Sequence, residues 1–201
     1  MDADRPDVGD GPGRGPATPP RGGSAAPPQP VLVDLARAGD EAAFAALVRA
    51  HQGRAYRVAL RMTGTHADAQ DVVQEAFLRA WQSLPRFRGD AQFGTWLIRI
   101  VLNGCHNLRR AARPVDTLPD DPAALTVPGA DTTVAATHLR EAAREAILQL
   151  PFDQRAPLVL HSFAGFSHAE VARVLGITEG ASKVRVHRAR RTLTALLQDW
   201  R

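Results

Sequence analysis

Between Ala67 and Arg110 the apolar residues recur every three or four positions, in two runs that a short loop separates. This spacing is typical of helices that bury one face, so the stretch predicts two amphipathic helices. The apolar positions of the first run are Ala69, Val72, Val73, Ala76, Phe77, Ala80, Trp81 and Leu84, and those of the second are Phe93, Trp96, Leu97, Ile100, Val101, Gly104, Cys105 and Leu108. Two such faces must pack together or against further helices, which favours an all-helical fold.

The polar faces of the two predicted helices differ in charge. The first face is mainly acidic and amide, and it carries Asp68, Asp71, Gln74, Glu75 and Arg79. The second face is mainly basic, and it carries Arg99, Asn103, His106 and Arg110. Residues spaced in this way share one side of a helix, so each helix presents a distinct surface.

The loop between the two runs combines basic and aromatic side chains. Pro85 ends the first helix, and the loop residues are Arg86, Phe87, Arg88, Gly89, Asp90 and Phe93. Guanidinium groups can bind phosphates, and rings can stack on bases, so the loop has the chemistry of a single-stranded nucleic-acid site. An alternative stays open, in which Phe87 and Phe93 fill the helix junction and the arginines are solvated charges.

Composition limits the class of protein. The chain has 201 residues, a 44% hydrophobic share and a formal charge of +4, and Lys183 is its one lysine, so contacts with a polyanion would be made almost wholly by arginine. The single cysteine, Cys105, lies on an apolar stripe and is expected to be a small buried side chain. No signal-peptide core and no apolar run of membrane-spanning length is present, so we expect a soluble, cytoplasmic protein without membrane insertion.

The chain divides into four parts. Residues 1–30 hold eight prolines and six glycines and predict a disordered arm. Residues 31–113 predict a first helical domain, with a break at Gly39, a helix capped by Asp40, a second helical piece through Tyr56, and an end at Thr63 and Gly64. Thr65 is expected to cap the first helix of the central stretch. Residues 114–136 are rich in proline and aspartate and predict a flexible linker.

Residues 137–201 predict a second helical domain. One of its helices contains Pro157, which is tolerated only if that helix begins no earlier than about Asp153. Ala172 and, four residues later, Gly176 have the spacing of a helix-turn-helix motif, and Thr178 is placed to cap the last helix. The fold class is therefore all-α, with two small helical domains and a helix-turn-helix in the second.

The last predicted helix is strongly basic. Its inward stripe is Ser182, Val186, Ala189, Leu193 and Leu196, and its outer basic residues are Lys183, Arg185, Arg188, Arg190 and Arg191. Such a helix has the shape and charge for a DNA major groove. The alternative is a basic helix with a purely structural role.

Three segments together resemble a known family. They are DVVQEAFLRAW, FRGDAQFGTWLIRIVLN and, after the proline-rich spacer, FSHAEVARVLGITEGASKVRVHRARR. In this order they resemble bacterial RNA polymerase sigma factors of the extracytoplasmic-function (ECF) group of the sigma-70 superfamily. The resemblance covers about residues 31–197.

The resemblance implies a role for each surface. The first domain would bind core RNA polymerase and melt the minus-ten promoter element, and the second would read the minus-thirty-five element. The implied polymerase contacts are Asp68, Asp71, Gln74, Glu75 and Arg79. The implied minus-ten residues are Phe87, Arg88, Asp90, Phe93, Trp96, Arg99 and Asn103. The implied minus-thirty-five residues are Lys183, Val184, Arg185, His187, Arg188 and Arg191.

The resemblance also bears on partners and chemistry. It implies core RNA polymerase, promoter DNA and an anti-sigma factor as partners, and it implies neither catalysis nor a cofactor or metal. Two departures of the recognition helix from the family's common Gly-Thr-Val-Lys-Ser-Arg matter, since Ser182 replaces the valine and Val184 replaces the serine. We expect Ser182 to affect how the helix packs and Val184 to affect base preference.

Two rival functions are weaker. Asp68, Asp71 and Glu75 share one helical face and could hold a divalent cation in an enzyme, but no histidine or cysteine completes a ligand set, and no glycine-rich phosphate loop occurs. A repressor that uses only the helix-turn-helix would leave the first domain without a role.

Overall fold

The computed structural model describes residues 27–111 and 134–198. Its α-helices are α1 (Gln29–Arg37), α2 (Glu41–Thr63), α3 (His66–Ser83), α4 (Phe93–Ala111), α5 (Val134–Gln149), α6 (Phe152–Leu158), α7 (His168–Leu175) and α8 (Glu179–Gln198). Most of the predicted disordered arm and of the predicted linker lies outside the described residues. Regular structure begins at Gln29 and resumes at Val134, within three residues of the predicted starts.

The N-terminal helices are capped as the sequence predicts. The Asp40 carboxylate accepts a hydrogen bond from the Ala43 amide at 3.0 Å, and the Thr65 hydroxyl accepts one from the Asp68 amide at 3.1 Å. The prediction of two helical pieces after Asp40 was wrong, because α2 runs unbroken across Gly53. A single glycine costs a helix about 1 kcal/mol, and the buried face of α2 offsets that cost.

Gly64 ends α2 in a conformation that only glycine adopts easily. Its φ is +94°, and a Cβ atom at this position would lie 2.6 Å from Leu148 Cδ1 on α5. The glycine therefore serves the turn into α3 and also lets α5 approach the end of α2.

Helix α4 has neighbouring helices on more than one side. It packs against α2, α3 and α7, and Leu97, Val101 and Cys105 are buried as the stripe predicts. Ile98 and Leu102 are buried as well, although they lie off the predicted stripe. A single-face pattern misses them because α4 has neighbours on more than one side.

The second domain departs from regular α-helix at one place. Helix α6 begins at Phe152, one residue earlier than predicted, and contains Pro157. A π-helical turn, Val159–Phe163, follows directly, and the Ala164 amide bonds to the Val159 carbonyl five residues back. The π-helical turn therefore lies directly after the helical segment that contains Pro157.

The helix-turn-helix consists of α7 and α8. Ser167 and Glu170 form a reciprocal capping box at the start of α7, Gly176 turns the chain at φ +66°, and the Thr178 hydroxyl accepts from the Ala181 amide at 3.1 Å. The predicted turn at Gly176 and the predicted cap at Thr178 are confirmed.

The two domains are docked, and their cores merge. One cluster of buried side chains runs from Leu47 and Val101 in the first domain to Ile147, Val159 and Val174 in the second. The sequence predicted two small helical domains, and in the structure the buried side chains of the two domains form one continuous cluster. A smaller separate cluster, made of Leu150, Leu158, Val186 and Ala189, holds α8 on α6.

Arginines cap helix C-termini across the domain junction. Arg155 Nη1 donates to the Met62 carbonyl at 2.8 Å, and Nη2 donates to the Leu150 carbonyl at 3.0 Å and to that of Leu148. Arg144 Nε donates to the Gly64 carbonyl at 3.0 Å. The last carbonyls of a helix lack intrahelical partners and carry partial negative charge, so these guanidinium groups complete the ends of α2 and α5.

Candidate polymerase and nucleic-acid interfaces

The polar face of α3 is open to solvent. Asp71, Gln74, Glu75 and Arg79 are exposed and Asp68 is partly buried. Glu75 and Arg79 pair with each other at 2.6 Å, one helical turn apart. Leu78 lies between these residues and is 51% exposed, so the face offers an apolar contact that the charge pattern did not reveal.

The aromatic residues near the loop form a packed cluster. Phe87 and Phe93 are 8% and 2% exposed, with ring centroids 6.4 Å apart, and Trp96 lies 4.8 Å from Phe87. Their burial favours the alternative in which these phenylalanines fill the helix junction. Stacking of a base on either ring would need the cluster to open, and it stays a prediction. Arg88 and Asp90 remain exposed on the loop.

A cavity of about 430 Å³ lies between α1 and this loop. Val33 and Arg37 line it from α1, and Gly89, Gln92 and the edge of the aromatic cluster line it from the loop. Its size is within the range of pockets that hold small organic groups. The cavity therefore has an apolar wall, an amide and an ion pair between Asp34 and Arg37 (3.7 Å), which periodicity alone did not indicate.

The outward residues of α4 have different environments. Asn103 is exposed. Arg99 is exposed as well, but it is bonded to the second domain, because its Nε donates to the Val174 carbonyl at 3.1 Å and its Nη2 donates to the Arg173 carbonyl. In the docked arrangement Arg99 thus binds the end of α7.

Helix α8 presents its cationic side to solvent. Lys183, His187, Arg188 and Arg191 are exposed and Arg185 is partly buried. Val184 is 49% exposed, and Ser182 is fully buried. Helical geometry placed these two residues on opposite sides of α8, and their exposures agree.

Ser182 takes part in a polar contact between the two helices of the motif. Its hydroxyl lies 3.0 Å from His168 Nδ1 at the start of α7. The His168 ring stacks on His161 with centroids 4.0 Å apart. Burial, followed by the neighbouring charges of His161 and Lys183, lowers the pKa of His168. A hydrogen bond thus joins α7 to α8 where the family commonly places a valine.

Sequence reasoning missed the arginines that cap helix ends at the domain junction, Arg144 and Arg155. Arg155 is 4% exposed, and burial lowers its pKa to about 10, so it stays protonated at neutral pH. No periodicity marks it, since it lies beside Ala156 and Pro157 in a short helix. Cys105 is buried as expected, and burial raises the pKa of its thiol to about 12.

The described residues show no gathered metal ligands. Across residues 27–111 and 134–198, no group of three or more histidine, cysteine or acidic side chains comes together. Asp68, Asp71 and Glu75 thus share a helical face without forming such a group. Within the same ranges, no helix has both the length and the apolarity to cross a membrane.

Both domains match known families. The sequence model of Sigma-70 region 2 matches residues 47–114, and that of Sigma-70, region 4 matches residues 140–193. The first match contains the α3 face, the loop and α4, and the second contains the helix-turn-helix. The two regions therefore occur in the order that the motifs predicted.

Curated relatives and solved structures agree with this assignment. The chain is 41% identical to the ECF RNA polymerase sigma factor SigM of Mycobacterium tuberculosis over 162 residues, 80% of each chain. It is 33% identical to the RNA polymerase sigma-H factor of Pseudomonas aeruginosa, over 83% of this chain and 92% of the relative.

Among solved structures, CnrH in complex with the cytosolic domain of CnrY aligns with a TM-score of 0.67 and 31% identity, covering 84% of this chain and 96% of CnrH. RpoE of Bartonella quintana, in complex with the anti-sigma factor NepR, shares the fold with a TM-score of 0.57 and 22% identity, over 84% and 92% of the two chains. With two family regions in order and relatives matched over most of their length, this chain belongs to the ECF group of RNA polymerase sigma factors.

Proposed function

We propose that this chain binds core RNA polymerase, directs it to specific promoters and helps to open the minus-ten element. The observation that carries the proposal is the separation of two exposed surfaces on two helical units, an acidic and amide face on α3 and a cationic face on α8. Catalysis would belong to the polymerase, so the chain itself needs no catalytic residue or cofactor.

The face of α3 is the proposed polymerase contact. Asp71, Gln74 and Glu75 are exposed together, and Leu78 adds exposed apolar surface beside them. Interfaces commonly combine an apolar centre with a charged rim, so Leu78 is the proposed central contact. Its partner would be a cationic surface of core polymerase.

The loop and α4 form the proposed minus-ten site. Arg88 can bind a phosphate, and the cavity beside Arg37 and Gln92 can accept an unstacked base. Flipping a base costs a few kcal/mol, which contacts in such a cavity can return. Phe93 and Trp96 would then support the cavity wall, and Asn103 would contact the strand further along α4.

Helix α8 is the proposed reader of the minus-thirty-five element. Arg188 and Arg191 can bind guanine or phosphate, and Lys183 can bind phosphate. Val184 cannot form hydrogen bonds through its side chain, but it can pack against the methyl group of thymine. We therefore expect a thymine preference at one position.

An anti-sigma factor is the proposed regulator. CnrH and Bartonella RpoE were both solved with a protein bound, CnrY and the anti-sigma factor NepR respectively. By analogy, a partner that binds both domains would hold this chain inactive. Since the polymerase and the promoter are cytoplasmic in bacteria, the chain is proposed to act there.

Reconstitution with core RNA polymerase tests the function. Gel filtration should show a stable complex, and this complex should start transcription at promoters where core enzyme alone does not initiate. A repressor would bind DNA without forming the complex. Absence of the complex at micromolar concentrations would contradict the proposal.

A further inference from the structure

A second cavity, of about 450 Å³, lies between α2, the start of α4 and the N-terminal end of α7. Its wall is mainly polar, and its charged lining residues are Arg49, Arg54, Arg57 and Glu170. These charged residues belong neither to the α3 face, nor to the loop, nor to the cationic side of α8. The proposed function therefore leaves this cavity without a role.

Three arginines of α2 supply positive charge to the cavity. In the described part of the chain, the side chains of Arg49, Arg54 and Arg57 form no ion pair and no hydrogen bond. The Arg54 guanidinium lies 5.3 Å from the ring centroid of Phe166, and Arg57 Nη1 lies 3.5 Å from where a Cβ of Gly53 would be. All three arginines are exposed, so solvent and salt screen their charges. Charge alone therefore does not define a site here.

The start of α4 adds hydrogen-bond donors to the same cavity. The Trp96 amide donates to the Gln92 carbonyl, whereas the first amides of a helix have no acceptor within the helix and carry partial positive charge. Gly94 and Thr95 of this first turn line the cavity. A Cβ at Gly94 would lie 3.0 Å from His51 Cε1, so the glycine lets this helix end lie close to α2.

Two polar side chains at the cavity wall lack a hydrogen-bond partner. Thr95 is 7% exposed, and its hydroxyl forms no hydrogen bond with another residue that the structure describes. Nε2 of His51, on the wall formed by α2, is likewise buried and unpaired among those residues. Buried polar groups normally have partners, so contacts within the described fold do not account for these two groups.

The one carboxylate of the lining is already bonded elsewhere. Glu170 Oε2 accepts from both the amide and the hydroxyl of Ser167, at 2.8 Å each, and these bonds lower the pKa of Glu170. Burial, followed by the charge of Arg54, lowers the pKa of His51, which favours the neutral imidazole. Three guanidinium groups against one carboxylate leave a net charge of +2. The balance favours an anion with more than one negative charge.

We propose that this cavity binds a small molecule with a diphosphate or triphosphate group. Guanidinium groups bind phosphate oxygens in pairs, the first amides of α4 bind phosphate as helix N-termini do, and the Thr95 hydroxyl donates a further hydrogen bond. The volume of the cavity is within the range of small-molecule pockets. Phe166 and Glu170 cover it from the side of α7, so a compact ligand fits better than a continuous nucleic-acid strand.

Calorimetric titration of the full chain with sodium pyrophosphate, without divalent cations, tests the site. Wild type should bind one equivalent. Thr95→Val removes the hydroxyl and keeps the charge and nearly the shape, and it should weaken binding at least about fivefold, as expected for a hydrogen bond to a charged group. Arg54→Ala and Arg57→Ala should each weaken binding at least about tenfold. Circular dichroism checks folding, and Thr95→Val keeps the test decisive if an arginine variant unfolds.

Arg110→Ala is the charge-matched control. It removes an exposed arginine near the other end of α4, about 22 Å along the helix from Thr95. Because this distance exceeds the screening length at physiological salt, the substitution should change pyrophosphate affinity less than about twofold. Equal weakening by Arg110→Ala and Arg54→Ala would show unspecific attraction of anions and would overturn the proposal.

Two further titrations identify the source of the phosphates. Tighter binding of ATP than of pyrophosphate, with the same dependence on Thr95 and Arg54, would assign the site to a nucleotide, and equal affinity would assign it to the phosphate chain alone. A single-stranded DNA oligonucleotide should bind through other arginines, so Thr95→Val should leave its affinity unchanged. Absence of pyrophosphate binding, or a loss in Thr95→Val of oligonucleotide affinity alone, would overturn the proposal. These titrations use the free chain, so they are independent of whether it binds core polymerase.

Discussion

Replacing Arg155 by methionine should destabilise the whole docked structure. Arg155 is 4% exposed and donates to the carbonyls of Met62, Leu148 and Leu150. Methionine is unbranched and fills the space of the aliphatic stem of arginine, but it ends before the guanidinium group. The substitution therefore removes the donors while it limits the cavity.

The expected loss follows from the carbonyls left behind. Each buried polar group without a partner costs about 1 to 3 kcal/mol, and three carbonyls are affected. Water can reach part of the site, since the helix ends lie at the domain junction. We therefore expect the free energy of unfolding to fall by roughly 3 to 5 kcal/mol, which is large for one substitution.

Urea unfolding followed by circular dichroism measures this loss. Arg155→Lys keeps the charge but lacks the planar fork that reaches separated carbonyls, so it should lose roughly half as much. Arg173→Met, at an exposed position, is the control and should change stability by less than about 0.5 kcal/mol. A loss below about 1 kcal/mol for Arg155→Met would refute the reasoning that these bonds hold the junction together.

Further predictions concern single surfaces. Changing Asp71 and Glu75 to lysine should weaken core polymerase binding at least tenfold and leave the circular dichroism spectrum unchanged; unfolding would show that these acids are structural. Asn103→Ala should impair opening of duplex promoters and spare pre-melted templates, and equal loss on both would assign it to base recognition alone. Val184→Ser should change base preference at one position by about 1 kcal/mol and leave the salt dependence of DNA binding the same. An unaltered base profile would show that Val184 does not contact a base. Because the pKa of His168 is lowered in the folded state, its contribution to stability is complete above about pH 6.5 and declines as pH falls below that value. His168→Asn should therefore flatten the decline of stability in urea titrations at pH 5 to 7.5. An unchanged slope would show that His168 does not cause the decline.

Local signals in the sequence predicted the local structure well. The caps at Asp40, Thr65 and Thr178 depend on one side chain and one nearby amide, and the turn at Gly64 depends on a backbone conformation that glycine adopts easily. Such features need only a few consecutive residues. They are confirmed in the structure.

Features that depend on distant residues were not predictable in the same way. Nothing near Arg155 in the sequence indicates that it caps a helix 93 residues earlier. Likewise, the sequence shows the Ser182 hydroxyl only as a polar group in an apolar stripe, and it does not show that His168 is its hydrogen-bond partner. The merged core was not predictable for the same reason, because an apolar stripe shows that one face of a helix is buried but does not show which helix covers it.

Run-off transcription tests the central claim most directly. Core RNA polymerase from a related bacterium, reconstituted with the full chain, should initiate on a genomic fragment library at sites that share minus-ten and minus-thirty-five sequences. These transcripts should disappear when the chain is omitted or when Asp71 and Glu75 are reversed to lysine. Transcription that is the same with and without the chain would contradict its assignment as a promoter-specific sigma factor.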